Sequence, residues 1–140
     1  MAGYSGTPLP KKLGIKEGHR LALLGAPDEM ERTLGELPDG VSVRTSARGR
    51  SDVIVCFVTA RAELERRFAA LKRALEWDGG LWIAWPKRSA GVPTDMTEGL
   101  AREIALANGL VDNKVCAIDE TWSGLRLVIR TADRASHVPA

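Results

Sequence analysis

The chain has 140 residues, of which 44% are hydrophobic and 27% charged, proportions typical of one globular domain that buries its own core. Its formal net charge of +2 is too small to indicate nucleic-acid binding by itself, so any basic site must come from local clustering. No run approaches the roughly 18 apolar residues of a membrane span, and the first residues lack the apolar run of a secretory signal. We therefore expect no membrane partner and a cytoplasmic location.

An N-terminal arm over residues 1–17 precedes the first predicted strand. Pro8 suits the first position of a one-turn helix, with Thr7 as its N-cap, and Gly14 suits its left-handed stop. The sequence HRLALLG, at 19–25, is then apolar enough for a buried strand.

Two prolines bound the next predicted element, a helix. Pro27 is tolerated in the first turn of a helix, whereas the residue before Pro38 avoids helical geometry. A turn at Asp39-Gly40 leads into VSVR, a second short strand, and the polar loop TSARGRS follows it.

The strongest strand signal is DVIVCFV, at 52–58, which is β-branched and almost wholly apolar, as a central parallel strand should be. A helix is predicted over 60–75 because apolar residues recur there at helical spacing. Both cysteines, Cys56 and Cys116, lie inside apolar runs with no histidine or second cysteine at ligand spacing. We expect buried free thiols, and neither a zinc site nor a catalytic cysteine.

The last third of the chain repeats the alternation of strand and helix. Residues 78–80 (Asp-Gly-Gly) are predicted to turn into the strand LWIAW, and Thr94 or Asp95 to cap a helix that Gly109 stops. KVCAID and LRLVIR are the final strands, joined through a turn at 121–124. Because no helix separates these two strands, they should pair antiparallel.

Strands that alternate with helices predict parallel pairing through right-handed crossovers. We therefore expect a three-layer α/β domain over 18–130, with a mostly parallel, Rossmann-like sheet of about six strands and an antiparallel C-terminal strand. A flexible tail is predicted at 131–140. The sequence has no phosphate-loop, nucleophile-elbow or H-E-x-x-H motif, and no metal site is expected.

This order of elements resembles the class I S-adenosylmethionine-dependent methyltransferase topology, with one strand and helix missing because only a short loop joins VSVR to DVIVCFV. At closer range, five blocks of the sequence resemble small bacterial proteins of unknown function, the domain-of-unknown-function family 3052. The blocks are SGTPLPKKLGIKEG, LLGAP, FVTARAELE, GGLWIAWPK and VDNKVCAIDETWSGLR. The resemblance implies a fold and supplies no biochemistry.

Two cofactor-holding features of the methyltransferases are missing from the sequence. In that superfamily the first strand ends in an acid followed by glycines, and the second ends in an acid that holds the ribose hydroxyls. LALLGAPDEM keeps Gly25 but places Leu23 near the acid position and Pro27 near the next glycine, and the second strand ends in Arg44. The acidic pair after Pro27 would oppose a bound carboxylate or phosphate. We therefore expect no cofactor, and S-adenosylmethionine is disfavoured.

The candidate site lies beyond the carboxyl ends of the predicted strands, where open α/β sheets bind ligands. Basic residues, Arg50 among them, follow several of these ends and would form an anion-binding rim, to which Lys11 and Lys12 would add. The alternative is that they are solvated loop charges. The candidate ligand-binding residues are Gly25, Arg44, Arg48, Thr59, Arg61, Trp85, Lys87, Arg88, Glu120, Trp122 and Ser123.

The favoured interpretation is a non-catalytic binding or regulatory module whose basic rim takes an anionic small molecule, with nucleic acid as a weakly supported partner. One alternative is an enzyme, either a divergent methyltransferase or one acting on an anionic substrate, with Lys87 and Glu120 as polar participants. Another is a protein that forms homo-oligomers through a sheet edge or the turn at Trp122.

Overall fold

The computed structural model describes residues 7–137. The strands are β1 (Arg20–Leu24), β2 (Ser42–Arg44), β3 (Ser51–Phe57), β4 (Leu75–Pro86), β5 (Leu110–Ala117) and β6 (Trp122–Ile129). The helices are α1 (Leu9–Lys12), α2 (Met30–Leu34), α3 (Arg61–Ala74) and α4 (Glu98–Ala107), with 3₁₀ helices at Arg88–Ala90 and Thr131–Ser136. None of the helices within this range has the length and apolar character that a membrane span requires.

All six strands form one sheet in the order β2-β1-β3-β4-β6-β5. Strands β2, β1, β3 and β4 are parallel, and β6 lies antiparallel between β4 and β5. The predicted α/β class, the strand count and the antiparallel C-terminal strand are confirmed. No helix joins β2 to β3; residues 45–50 make the crossover, and Ala47 packs against the core on the α3–α4 face.

Each face of the sheet has its own apolar core, which gives the predicted three layers. One core packs α3 and α4 against the sheet through residues such as Phe68 and Ile104. The other packs α1 and α2 through residues such as Leu13 and Met30. Cys56 is buried in the first core, and this burial raises the pKa of its thiol to about 11, so the thiol is protonated at neutral pH. That state fits the predicted inert thiol.

The helix after β1 is shorter than its bounding prolines suggest. Helix α2 has five residues and ends at Gly35, whose φ of 73° lies in the left-handed region, well before Pro38. Its first turn is preceded by a bond from the Met30 N–H to the carbonyl of Pro27. A residue in the conformation of Gly35 cannot continue the helix, so α2 ends here, before the later proline is reached.

The predicted cap of α4 was wrong by at least two positions. Thr97 is the N-cap, and its hydroxyl accepts a hydrogen bond from the Leu100 N–H at 3.1 Å. The side chains of Thr94 and Asp95 bond elsewhere, to the segment that opens α3. Several residues here have cap chemistry, and only the path of the chain decides which one meets the helix.

Residues 78–80 do not form the predicted turn, because β4 runs through them without interruption. Ser51 pairs with Leu75, but Val53 pairs with Gly80, so β4 carries extra residues opposite β3 at this point. The glycines therefore lie at a bulge-like irregularity in the pairing of β3 and β4, where backbone segments approach closely.

The described part of the arm lies on the α1–α2 face of the sheet. The indole N–H of Trp82 donates to the carbonyl of Leu13 at 3.0 Å, and the ammonium of Lys114 donates to the carbonyl of Lys12 at 2.9 Å. At the other end, residues predicted as tail form a 3₁₀ helix, and a ring nitrogen of His137 lies 2.6 Å from the carbonyl oxygen of Leu75. Residues 1–6 and 138–140 lie outside the described part of the chain.

An ion cluster joins the amino ends of β1, β3 and β4. The guanidinium of Arg20 donates to Asp52 at 3.1 Å and to Glu76 at 2.7 Å, and the Arg20 N–H also donates to Asp52 at 2.8 Å. Burial alone would raise the pKa of Asp52, but the hydrogen bonds from Arg20 outweigh it and hold that pKa below its ordinary value. The cluster therefore stabilises the fold through a charged Asp52.

Replacement of Asp52 by asparagine should lower the free energy of unfolding at pH 7 by about 1–2 kcal/mol, because a hydrogen-bonded charge is lost at a partly exposed site. The contribution of Asp52 is present above the unfolded pKa of about 3.9 and is lost as pH falls through the lower folded value. Urea unfolding between pH 3 and 7 should show the gap between wild type and variant closing in acid. Asp39→Asn, at an exposed turn, is the control; an equal loss there would contradict the assignment.

Candidate functional site

Two clefts open at the edge of the sheet where the parallel strands end. The Gly25 cleft, of about 380 Å³, is lined by Leu23, Gly25, Ala26, Pro27, Asp28, Met30, Glu31, Val43 and Thr45. The Arg88 cleft, of about 450 Å³, is lined by Trp85, Pro86, Arg88, Val92, Thr94, Asp95, Met96, Thr97 and Glu98. The first lies toward the α1–α2 face and the second toward the α3–α4 face.

A glycine is required at the first cleft. Gly25 follows β1 with a φ of 67°, a conformation that side-chain-bearing residues rarely adopt. A Cβ atom there would also lie 3.0 Å from the carbonyl oxygen of Phe57, at the end of β3. The loop after β1 therefore passes close to the neighbouring strand end, and its backbone forms one wall of the cleft.

The Gly25 cleft is acidic. Its charged lining residues are Asp28 and Glu31, both exposed carboxylates, and no lysine or arginine lines it. Thr45, directly after β2, adds a hydroxyl group. Such a cleft favours ligands with cationic or hydroxyl groups and disfavours phosphate, the reverse of the anion-binding rim that the sequence suggested.

The arginines after β2 do not line either cleft. Arg44 is in register with Ala22, whose side chain lies in the α3–α4 core, and its guanidinium donates to the carbonyl of Arg48 at 2.7 Å. Arg50 directly precedes Ser51, the first residue of β3, and so lies at the amino edge of the sheet. These arginines do not converge on the one rim that the sequence suggested, because the chain turns back along the sheet within the 45–50 crossover.

Lys87 is committed to the structure of the β5–β6 turn. Its N–H donates to the carbonyl of Thr121 at 2.7 Å, and its ammonium donates to the carbonyl of Asp119 at 2.8 Å. The Asp119 carboxylate in turn accepts from the N–H groups of Thr121 and Trp122, both at 2.8 Å. Glu120 is exposed at the tip of this turn. These residues therefore close a turn, and Lys87 and Glu120 do not form a catalytic pair.

The tryptophans near the edge have packing roles. Trp85 is 7% exposed, belongs to the α3–α4 core and lies opposite Ser123 on β6. Trp122 is half-buried and meets Phe57 edge to face, with ring centroids 5.0 Å apart. Trp82 and Trp85 lie on opposite faces, as their spacing predicted. Trp122 is therefore a packing residue, and Trp85 is a wall of the Arg88 cleft.

The 94–95 segment forms a further wall of that cleft and is bonded to the segment that opens α3. The Thr94 hydroxyl donates to the carbonyl of Thr59 at 2.6 Å, and the Asp95 carboxylate accepts from the N–H of Arg61 at 2.8 Å. The Arg61 side chain pairs with Glu65 at 3.4 Å. Asp95 thus satisfies a free N–H at the first turn of α3. Thr59 and Arg61 act through their backbones here.

The guanidinium of Arg88 has neither a hydrogen-bond partner nor an ion-pair partner among residues 7–137, and it lines a cleft that Trp85 and Met96 make partly apolar. The sequence pointed to Arg88 and Trp85 but missed Met96, Asp28, Glu31 and Thr45 as lining residues. Of these, only Thr45 carried a usable signal, since it directly follows a strand end. Within residues 7–137, no group of His, Cys, Asp and Glu side chains is arranged to hold a metal ion.

The fold is similar to solved methyltransferase structures. A putative type 11 methyltransferase from Sulfolobus solfataricus matches with a TM-score of 0.62 and 16% identity, over 88% of this chain and 90% of that one. The fibrillarin pre-rRNA processing protein of Methanococcus jannaschii matches at 0.59 and 17% identity, over 91% and 70%. The magnesium protoporphyrin IX methyltransferase of Synechocystis PCC 6803 with bound SAM matches at 0.55 and 11% identity, over 87% and 74%.

These likenesses confirm the methyltransferase-like fold. At the level of sequence, no protein-family model matches the chain, and no curated protein does. The resemblance to family 3052 therefore stays a prediction. Since fold alone does not determine activity, the function must be argued from the clefts.

Proposed function

We propose that the chain is a divergent S-adenosylmethionine-dependent methyltransferase whose cofactor binds in the Gly25 cleft. The observation that carries this proposal is the acid-lined cleft at the end of β1, on a fold that resembles methyltransferases. The solved structures with a similar fold include one with bound SAM and one with bound SAH. The proposal replaces the favoured sequence interpretation, which took the missing strand-end acids as loss of the cofactor.

The lining of the cleft suits the chemistry of this ligand. S-adenosylmethionine carries a sulfonium and an ammonium cation, which carboxylates attract, and two ribose hydroxyls, which can donate to carboxylates. It also carries one carboxylate, which would have to bind away from Asp28 and Glu31. Asp28 and Glu31 supply carboxylates from the start of α2 in place of the missing acids at the ends of β1 and β2. Gly25 allows the loop to approach a ligand closely, and Leu23 and Val43 offer apolar surface for a base.

The Arg88 cleft is where we place the methyl acceptor. Its apolar lining of Trp85 and Met96 suits an apolar or aromatic group, and the guanidinium of Arg88 suits an anionic group on the same molecule. The carboxylates that also line this cleft, Asp95 and Glu98, already accept hydrogen bonds from Arg61 and Arg102. When bound, S-adenosylmethionine supplies an activated methyl group, so the protein's own task is to hold and orient the acceptor and exclude water. Arg88 and the two apolar residues would perform that positioning.

Calorimetric titration with S-adenosylmethionine and its demethylated product should detect binding, and saturating ligand should raise the thermal midpoint. Asp28→Asn and Glu31→Gln should each weaken binding of the sulfonium ligand about 10-fold, since each removes one charge-assisted contact. Glu36→Gln, at an exposed acid outside the cleft, should bind as wild type does. Absence of binding at millimolar concentration would overturn the proposal.

A non-catalytic module that binds the same ligand is the second candidate. The observation that favours it is the commitment of Lys87 and Asp119 to a turn, which keeps these two groups from acting as an acid–base pair at the edge. This reading is supported if the protein binds S-adenosylmethionine but transfers no labelled methyl group. Arg88→Gln should then bind S-adenosylmethionine as wild type does. Methyl transfer that Arg88→Gln reduces would support the enzyme.

A further inference from the structure

A basic cleft lies on the α1–α2 face, away from the carboxyl edge. It has a volume of about 260 Å³ and is lined by Lys11, Lys12, Gly14, Asn113, Lys114 and Arg126. Arg126 is in register with Trp82, and its guanidinium reaches Gly80, on the amino side of Trp82 within β4. The basic cleft is therefore separate from both clefts of the proposed function.

The charges of this cleft are of one sign. Three lysines and one arginine line it, and no acidic residue does. The guanidinium of Arg126 is half-buried, yet it has no carboxylate partner among residues 7–137. Burial and the nearby charge of Arg134 both lower the pKa of Arg126. An unpaired, partly buried cation costs folding energy unless something outside the protein neutralises it.

Among residues 7–137, two other half-buried arginines are paired with carboxylates, whereas Arg44, Arg67 and Arg134 are not. Arg20 contacts Asp52 and Glu76, and Arg102 contacts Glu98 and Asp112. The protein thus supplies two carboxylates to each of those guanidinium groups and none to Arg126. Arg126 differs from these two in lining a cleft together with three lysines, where an anion could contact it.

Glycines make the space that this guanidinium occupies. A Cβ atom on Gly80 would lie 2.5 Å from the Arg126 Nε and 2.8 Å from its Cζ. Gly14, at the end of the arm helix with a φ of 79°, would place a Cβ 4.0 Å from the same nitrogen. A side chain at Gly80 would therefore displace the guanidinium, and one at Gly14 would contact it, so both glycines leave room for it.

The lysines come from both walls of the cleft. Lys11 and Lys12 end α1, whereas Lys114 lies on β5 and donates one hydrogen bond to the carbonyl of Lys12. An ammonium group has three N–H donors, so this bond leaves Lys114 able to donate to a ligand as well. A bound anion would therefore bridge the arm and the sheet.

We propose that the basic cleft binds the phosphate group of a small phosphorylated molecule. A phosphate monoester carries a charge of about −1.5 to −2 and three acceptor oxygens, which match a planar guanidinium and several ammonium groups better than one carboxylate does. The small volume, and the absence of an aromatic lining residue among residues 7–137, favour a single phosphate group over a stacked nucleic-acid strand.

The test measures binding of inorganic phosphate, pyrophosphate and adenosine monophosphate by calorimetry at constant ionic strength. Arg126→Gln should weaken the best of these ligands at least 10-fold, and Lys11→Gln should weaken it a few-fold, as expected for loss of one charged contact. Arg73→Gln removes an exposed guanidinium on α3 and should leave the affinity unchanged. If adenosine monophosphate binds more tightly than inorganic phosphate, the bound phosphate group belongs to a nucleotide.

A folding control separates the proposal from a structural role. Without phosphate, Arg126→Gln should unfold at the same or a higher urea concentration than wild type, because an unpaired charge is removed; a structural arginine would give the opposite. S-adenosylmethionine binding should be unchanged in this variant. Equal phosphate affinity in wild type and Arg126→Gln, or no binding at millimolar concentration, would overturn the proposal. An RNA 12-mer that binds over 100-fold more tightly than pyrophosphate would also overturn the small-ligand assignment.

Discussion

Replacement of Trp82 by alanine should lower the free energy of unfolding by about 3–5 kcal/mol, the range for loss of a large buried aromatic side chain. Trp82 is fully buried in the core between the sheet and the arm. Its indole N–H donates to the carbonyl of Leu13 at 3.0 Å, so the side chain both fills the core and holds the arm. Urea unfolding followed by circular dichroism measures the change.

Two further variants divide this loss between packing and hydrogen bonding. Trp82→Phe keeps an aromatic ring but leaves the Leu13 carbonyl without its donor, and should cost about 1–3 kcal/mol. Trp77→Ala is the matched control, since that indole is 50% exposed, and it should change the unfolding free energy by under about 1 kcal/mol. Equal losses for Trp82→Ala and Trp77→Ala would be incompatible with the described core.

The same tryptophans show which parts of the fold the sequence determines locally. The spacing of three between Trp82 and Trp85 places them on opposite faces of a strand, whatever the rest of the chain does. The apolar run of β3 and the helical periodicity of α3 are equally local signals, and both were correctly predicted. These elements in turn predict the α/β alternation, and with it the sheet.

The sites depend on contacts that no local pattern encodes. The bond from Lys114 to the carbonyl of Lys12 joins residues 102 apart in sequence, and it forms one wall of the basic cleft. Arg44 lies at the carboxyl end of β2, as expected, but its guanidinium donates to the carbonyl of Arg48 in the crossover and lines neither cleft. The clustered lysines and arginines of the sequence therefore indicated that basic sites exist, whereas the path of the chain through the fold determines where those sites lie.

The glycine pair in β4 is the sharpest case, because the sequence suggested a turn where the fold requires close approach. A Cβ atom on Gly79 would lie 2.6 Å from the carbonyl oxygen of Asp52 and 2.9 Å from a methyl carbon of Leu75. The first of these atoms is backbone in β3, next to the ion cluster of Arg20, so it cannot move without disturbing that cluster. The constraint at Gly79 therefore comes from its neighbour strand.

Gly79→Ala should accordingly lower the free energy of unfolding by about 1–3 kcal/mol, as overpacking does in a fixed environment. Gly99→Ala is the matched control, because a Cβ there would come no closer than 3.9 Å to another group, and alanine favours the helix by up to about 1 kcal/mol. The two substitutions add the same methyl group, so urea midpoints that move in opposite directions isolate the effect of the β3 backbone. A urea midpoint of Gly79→Ala at or above that of wild type would contradict this close approach to β3 and would favour the turn that the sequence alone suggested.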